Sequence, residues 1–346
     1  MDKNRLLDIF SKIDKEESKP NFHLNSRILL VDGINTFLRG FAAVTRSNLM
    51  GHDVGGIIGF LKSVGHAIKI LNPTRVIIVF DGESGSVNRK YLYPPYKANR
   101  NRPRILNRRS FDNKEDEDES KYEQVVRLMD YLSYLPLISI SIDRLEADDV
   151  IGYITEHVQR EYDDANVYIM STDTDYLQLI NNRVKVYSPI KKKIYEIGNV
   201  LEEYQVHPIN FLLYKILIGD DSDNIPGVSG LGEKNTPKLF QLLSESEAKS
   251  IENLYDLCEH PPKKSVLYER VLNVKNDLDI FYRLMDLKEI NITEDDENKI
   301  QSIYHSPIPI FRKYDFIKLY NHDKMADNIP NLEVWLNLFS VLNSYK

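Results

Sequence analysis

Three apolar runs in this chain end on an aspartate: ILLV on Asp32, IIVF on Asp81 and VYIMST on Asp173. A fourth, LISISI, leads within four residues to Glu146, with Asp148 and Asp149 close behind. Asp173 and Asp175 form a D-x-D pair, and Asp220 and Asp223 follow a helical segment further on. Taken singly, an aspartate after a strand is often a helix N-cap or turn residue, and Asp220 with Asp223 could be an Asx turn. Capping does not account for the whole set. If all converge, nine carboxylates meet with no Lys or Arg inside those motifs to neutralise them. Each pair of unit charges ~4 Å apart repels by roughly 4 kcal/mol at an effective dielectric of about 20, so such a cluster needs cations. Oxygen-only ligands select hard ions, Mg²⁺ or Mn²⁺. Two such ions about 4 Å apart are a standard device for phosphodiester hydrolysis.

The elements that would position these groups alternate. Apolar runs at 27–31, 75–80, 137–142, 167–170 and 183–187 are separated by helix-period segments around 54–71, 120–134 and 146–160, with a short helix from Asp175. Strands alternating with helices predict an α/β fold, a mostly parallel sheet flanked by helices on both faces. Its C-terminal strand ends share one edge, where ligands bind in such folds. After Val200 the pattern is helical. The division expected is a polar extension over 1–26, an α/β domain over 27–205 and a helical region over 206–346. The charged stretch 83–119 is too long for an ordinary connection and reads as an insertion.

Composition bounds the rest. With 346 residues, 42% of them hydrophobic, the chain has material for a large core. Lys62 and Lys69 interrupt the most apolar stretch, so no membrane span is expected. The N-terminus has no signal-peptide core, and the single cysteine, Cys258, leaves no internal disulfide or multi-cysteine zinc site; a cytoplasmic location follows. A net charge of −7 argues against a polyanion partner until its distribution is examined. Residues 88–111 carry eight Lys/Arg and no acid, whereas 112–123 carry seven acids and two lysines. Such a division suits a protein that grips a polyanion on one surface and binds cations at another.

The segments VDGINTFLRGFAA, IIVFDG, NRKYLYPPYKANR, EADDVIGYI, STDTDYLQLI and ILIGDDSDNIPGVSGLGEKNTPKLF resemble the 5′ nuclease (flap endonuclease) superfamily, in order, from about residue 27 to 240. Members include the N-terminal domain of bacterial DNA polymerase I and stand-alone bacteriophage enzymes. YSPIKKKIYEIG and the last ~100 residues further resemble the ribonuclease H of T-even-type phages. No polymerase sequence follows, so a stand-alone enzyme is expected. The resemblance implies a 5′ nuclease fold with a helical arch over 83–119 and a helix-three-turn-helix motif near 212–242. It implies Asp32, Asp81, Glu146, Asp148 and Asp149 around one metal with Asp173 shared or adjacent, and Asp175, Asp220 and Asp223 on the side of a second, more loosely held one. The ions implied are two Mg²⁺, for which Mn²⁺ can substitute, with metal-activated water as the attacking group.

The same resemblance implies DNA contacts from Arg39, Arg89, Tyr96, Lys97 and Arg100, with Lys97 and Arg100 at the scissile phosphate. Tyr91, Tyr93 and Tyr96 could stack on unpaired bases. Gly227, Gly230 and Gly232 would let a helix N-terminus face a duplex phosphate, aided by Lys234, Lys238 and a K⁺ ion on the loop's carbonyls. The acidic run 115–119 is no family feature and reads as a disordered or solvated part of the arch. The implied activity is structure-dependent 5′→3′ exonuclease and flap endonuclease cleavage at 5′ ends, flaps, nicks and RNA primers on duplex DNA. The rivals are a catalytically silent DNA-junction binder and a PIN-like ribonuclease on free RNA; neither accounts for both the intact carboxylates and the Gly-rich motif. A monomer is expected, with a sliding clamp and a single-stranded-DNA-binding protein as partners. Leu6, Leu7, Asp8, Ile9 and Phe10 resemble clamp-docking peptides, although Leu6, Ile9, Phe10 and Ile13 also fit an amphipathic turn.

Overall fold

A computed structural model describes residues 23–101, 105–290 and 292–345; the clamp-like peptide lies outside them. The apolar runs become strands β1 (Arg27–Asp32), β2 (Arg75–Asp81), β3 (Ile138–Ile142), β4 (Asn166–Met170) and β5 (Val184–Ser188), followed by the short β6 (Lys193–Tyr195). They form one sheet in the order β3-β2-β1-β4-β5-β6. The first five strands are parallel, and β6 pairs antiparallel to β5. Ile28 and Leu30 of β1 enter one core, Leu29 and Val31 the other, and all four are fully buried. A strand covered on both faces needs apolar residues at every position, which is why β1 and β2 do not alternate, whereas the edge strand β3 reads ISISI with Ser139 and Ser141 exposed.

The connections are α1 (Gly33–Ala43), α2 (Gly55–Leu71), α3 (Val87–Leu92), α4 (Lys114–Leu132) and α5 (Ala147–Glu161); α6 (Ile197–Tyr204) and α7 (Phe211–Ile218) follow the sheet. One face is covered by α1, α2 and α4 with the late helices Lys313–His322 and Leu332–Ser340. The other carries α5, α7 and the helices Ile251–Glu259, Lys275–Met285 and Glu294–His305. Residues after 206 are thus divided between the two sides. Buried Arg75 at the start of β2 donates to Asn25 Oδ1 (2.8 Å) and to the Ser306 carbonyl (2.7 Å), tying the end of one late helix to the sheet. Helices α1 and α2 approach closely, for a Cβ on Gly59 would lie 2.5 Å from Gly40 Cα. No helix among the described residues is long and apolar enough to cross a membrane.

The expectation of a disordered or solvated 115–119 segment holds for the exposed Glu115, Asp116, Asp118 and Glu119 but is corrected in that the segment is helical and Glu117 faces inward. Those residues open α4, capped by the Asn113 side chain on the Asp116 N–H, and Glu117 is fully buried. Acids in a first helical turn complement the helix dipole, which favours the helix over a loop.

Candidate active site

The parallel strands end at a cleft of about 920 Å³ lined by seven of the nine predicted carboxylates: Asp32, Asp81, Glu146, Asp148, Asp173, Asp220 and Asp223. Asp32 is the last residue of β1 and the N-cap of α1; it accepts from Asn35 N–H (3.1 Å), Ser171 Oγ (3.1 Å) and Tyr176 Oη (3.3 Å). Asp81 closes β2 and accepts from Ala147 N–H at 2.8 Å, so it also anchors the start of α5. Glu146 and Asp149 form the capping box of α5. Asp173 lies three residues beyond β4 and accepts from Asp175 N–H at 2.9 Å. Asp220 and Asp223 sit in a tight loop after α7, closed by two 2.8 Å hydrogen bonds between the Asp220 and Ile225 backbones.

The acidic motifs themselves carry no Lys or Arg, but packing brings cations from elsewhere in the chain among them. Arg89 is buried; it binds Glu146, Asp148 (2.8 Å) and Asp149 (2.7 Å). Lys97 Nζ lies 2.5 Å from Glu146 Oε1, and Arg100 lies 2.7 Å from Asp223 Oδ1. Lys215, on the apolar helix α7, is buried 2.8 Å from both Asp175 and Asp220. Its ammonium is held well above the usual lysine range by those two carboxylates, against the pull of burial. Sequence reasoning missed Lys215 because its charge stands alone in FLLYKILI. Asp149 and Asp175 lie outside the cleft lining, tied to Arg89 and Lys215.

The floor keeps an unbalanced charge. Burial pushes Asp32 up to about 7, with Asp81 and Asp148 adding to the rise. Burial likewise raises Asp173 to about 6, reinforced by Asp148 and Asp32. Asp81 is raised by lost hydration and then by Glu146 and Asp148. Glu146 goes the other way, to about 2, because Arg89 and Lys97 outweigh its burial. Among the described residues no three carboxylates converge on one point as a finished metal cage. The donor chemistry nevertheless fits a hard divalent cation: oxygen only, with neighbouring acids that hold their protons because burial, and then mutual repulsion, disfavours their charged forms.

The rim is basic. Exposed Arg39 lines the cleft with Lys97, Arg100, Lys114 and Lys121. The two lysines of α4 were counted within the acidic run and not singled out from the sequence. Tyr91 is 92% exposed, whereas Tyr93 packs edge-on to Phe281. Tyr96 is buried, its hydroxyl donating toward Glu146 (2.8 Å) and lying 3.1 Å from Asp223; the expectation that it stacks on bases is corrected, since its ring face is covered. Buried Arg89 likewise holds the acids rather than facing solvent. Beyond the cleft, α7 leads through the 220–225 loop to Gly227 (φ +63) and Gly230 (φ +90), and then to a short helix, Thr236–Leu239. A Cβ on Gly227 would sit 2.5 Å from Gly219 N, so the turn requires glycine. Gly232 needs no left-handed backbone; Lys234 and Lys238 beside it are exposed.

Residues 27–205 match the family model described as the 5′-3′ exonuclease, N-terminal resolvase-like domain. The 5′-3′ exonuclease of Bacillus subtilis is 33% identical over 239 residues, 66% of this chain and 74% of that one. DNA polymerase I of Borreliella burgdorferi is 26% identical over 315 residues; the match takes in 88% of this chain but 32% of the polymerase, so the chain spans about a third of that relative. Among solved structures, the T5 5′-exonuclease with bound zinc superposes with a TM-score of 0.64 at 21% identity, covering 80% of this chain and 99% of that one. The likeness is one of fold: a mostly parallel sheet flanked by helices.

Proposed function

The chain belongs to the 5′-3′ exonuclease family, and from that premise we propose that it is a structure-dependent 5′→3′ exonuclease and flap endonuclease. Its substrates on this reading are 5′ ends, flaps, nicks and RNA primers on duplex DNA, and its work is primer removal in replication. The observation that carries the proposal is the cleft itself, an acidic floor with a basic rim at the C-terminal edge of the sheet. Such a site accepts a phosphodiester only where cations balance both partners.

Asp32, Asp81, Glu146, Asp148 and Asp149 would hold one divalent ion, with Asp173 shared or adjacent, and Asp175, Asp220 and Asp223 a second, Mg²⁺ with Mn²⁺ as substitute; Asp149 and Asp175 would act from behind the cleft lining, where they pair with Arg89 and Lys215. When bound, these ions supply an activated water and neutralise charge on the reacting phosphate. The chain's own residues do the positioning. Lys97 and Arg100 rest on Glu146 and Asp223, partners that a phosphate can replace with the same charge-assisted geometry. Exposed Tyr91 offers a stacking face, and Arg39 extends the basic rim. Lys234 and Lys238, beside Gly227, Gly230 and Gly232, would grip the duplex backbone, with K⁺ on the loop carbonyls. Replication partners on this reading are a sliding clamp, docked by residues 6–10, and a single-stranded-DNA-binding protein; the enzyme acts as a cytoplasmic monomer.

Cleavage of 5′-labelled flap, nicked and RNA-primed duplexes with and without Mg²⁺ tests the proposal. Metal-dependent release of short 5′ products from flaps and primers supports it, and binding without cleavage in Mg²⁺ and Mn²⁺ overturns it.

A further inference from the structure

The glycine turns beyond the cleft are held from inside the chain. Arg270, exposed on the helix Val266–Asn273, donates from Nη1 to the Ser229 carbonyl at 2.9 Å. It reaches that carbonyl across Gly230, where a Cβ would lie 2.7 Å from Arg270 Nη1 and 3.0 Å from Leu267 Cδ2. The helix that carries Arg270 is itself seated. Its buried Tyr268 donates to the Leu239 carbonyl at 3.2 Å and stands edge-on to Phe240.

A second side chain closes the next stretch. Asn235 Nδ2 donates to the Gly230 carbonyl at 2.7 Å, and its Oδ1 accepts from the Gly232 N–H at 2.8 Å. The Gly232 carbonyl accepts in turn from the Asn235 and Thr236 N–H groups, at 3.3 and 3.1 Å. Exposed Lys234 stands within that closed turn, next to Asn235. The Ser229 and Gly230 carbonyls each keep a second lone pair, so an ion on this loop adds to a shape already set. A phosphate contact made from a mobile loop loses the free energy of ordering that loop, whereas one made from a closed turn does not.

We propose that Arg270 and Asn235 are positioning residues for the duplex contact: they hold the turn 229–236 closed, so that Lys234 meets the phosphate backbone from a fixed place. The inference rests on the reading that Lys234 grips a duplex. The turn lies away from the carboxylates, so the clasp governs affinity and leaves the bond-breaking step alone. Asn235 is uncharged, which separates its effect on position from any effect of removing a cation.

The test is a pair of double-mutant cycles. Wild type, Lys234→Ala, Asn235→Ala, Arg270→Ala and the doubles that combine Lys234→Ala with each of the other two bind a labelled flap duplex in EDTA over a salt series. Single-turnover cleavage at saturating protein and hydrogen exchange at the Gly232 amide are measured alongside. Asn235→Ala should weaken binding about fivefold and Arg270→Ala about tenfold. Asn235→Ala should also remove part of the salt slope of about 1 that Lys234 contributes, although it takes away no charge. In either background Lys234→Ala should cost less than half of what it costs alone. Gly232 should exchange faster in Asn235→Ala but not in Lys234→Ala, and saturated rates should stay within about twofold of wild type. Additive penalties in both cycles, or wild-type affinity and salt slope in Asn235→Ala, overturn the clasp even if flaps are cleaved normally. Duplex binding that is untouched by Lys234→Ala in the wild-type background overturns the underlying reading, and the clasp's role with it.

Discussion

Lys97 Nζ stands 2.5 Å from Glu146 Oε1, while the Lys97 backbone N–H donates to the Asp223 carbonyl at 2.9 Å. One residue of the basic segment thus touches both acidic sides of the cleft, and it does so at φ +56, a left-handed backbone that a non-glycine residue adopts only when its surroundings fix it. The cation stands in a turn and is placed by contacts with two other segments of chain. It is a fixed charge at the mouth of the cleft.

Lys97→Ala is therefore expected to slow single-turnover cleavage by about a hundredfold, with little loss of duplex affinity, because a positioned cation matters most where charge develops. Lys234→Ala should do the opposite, reducing the salt slope of duplex binding by about 1 while sparing the saturated rate. Rates and affinities over a salt series separate the two, and equal effects of both substitutions on both quantities would refute the division.

Asp148→Asn and Asp173→Asn should each abolish cleavage and leave flap binding in EDTA measurable, since duplex affinity arises from phosphate contacts elsewhere. If both variants kept more than about a tenth of wild-type turnover, the two-ion assignment would fall.

Removing Lys215 tests the buried counter-ion. Lys215→Met preserves length and packing but leaves Asp175 and Asp220 facing each other, so the metal-free protein should lose about 3 kcal/mol at neutral pH. Mg²⁺ should return part of that loss. Thermal or urea melts with EDTA and with Mg²⁺ decide it, and a melting point equal to wild type in EDTA would show that the pair contributes no net stability.

Stability without metal should depend on pH in a stated direction. Burial pushes the Asp32 carboxyl up to about 7 and that of Asp173 up to about 6 in the fold, against an ordinary value of 3.8 for both. Between pH about 4 and about 7 the folded chain therefore binds more protons than the unfolded one, and its stability falls as pH rises, by up to about 1.4 kcal/mol per unit for each group. Glu146, at about 2, acts the other way: its contribution is present above its ordinary value of 4.5 and is lost as pH falls toward 2. A divalent ion binds the deprotonated acids, so the Mg²⁺-induced rise in melting temperature should grow from about pH 5 to about pH 8. A rise independent of pH would contradict the electrostatic account of the floor.

Asp32 and Asp81 were readable because each follows a run apolar at every position, which in a sheet covered on both faces marks a strand and its end; Asp173 and Glu146 stand a few residues beyond the shorter runs of β4 and β3. The cations that answer them were less legible. Lys215 pairs with Asp175 forty residues earlier, a contact made only when α7 docks on the sheet. Glu117 sits among four other acids and differs from them only in pointing inward, which sequence does not record. Tyr96 was read with Tyr91 and Tyr93 as a stacking residue because all three share a basic stretch; burial separates them. Helix α1 begins at the residue after β1, with Asp32 serving as both strand end and N-cap, so no polar break marks it. Only three residues make up β6, too few for a periodicity.

The seam between residues 93–100 and the 220–225 loop has a consequence for how the protein is made. Besides Lys97, the Asn99 amide meets the Asp221 carbonyl, Arg100 meets Asp223, and Asn224 Nδ2 donates to the Pro95 carbonyl at 2.8 Å. A nascent chain that has emerged only to residue 205 holds every strand and seven of the nine acids, but it lacks all of these partners. Its basic segment keeps the Arg89 contacts to Glu146, Asp148 and Asp149 but loses the seat of residues 95–100, and Lys97 is not yet held over Glu146 from both sides. The catalytic centre is therefore complete only when the 220–225 loop is seated, so the basic segment and the second pair of acids are assembled by one and the same contact.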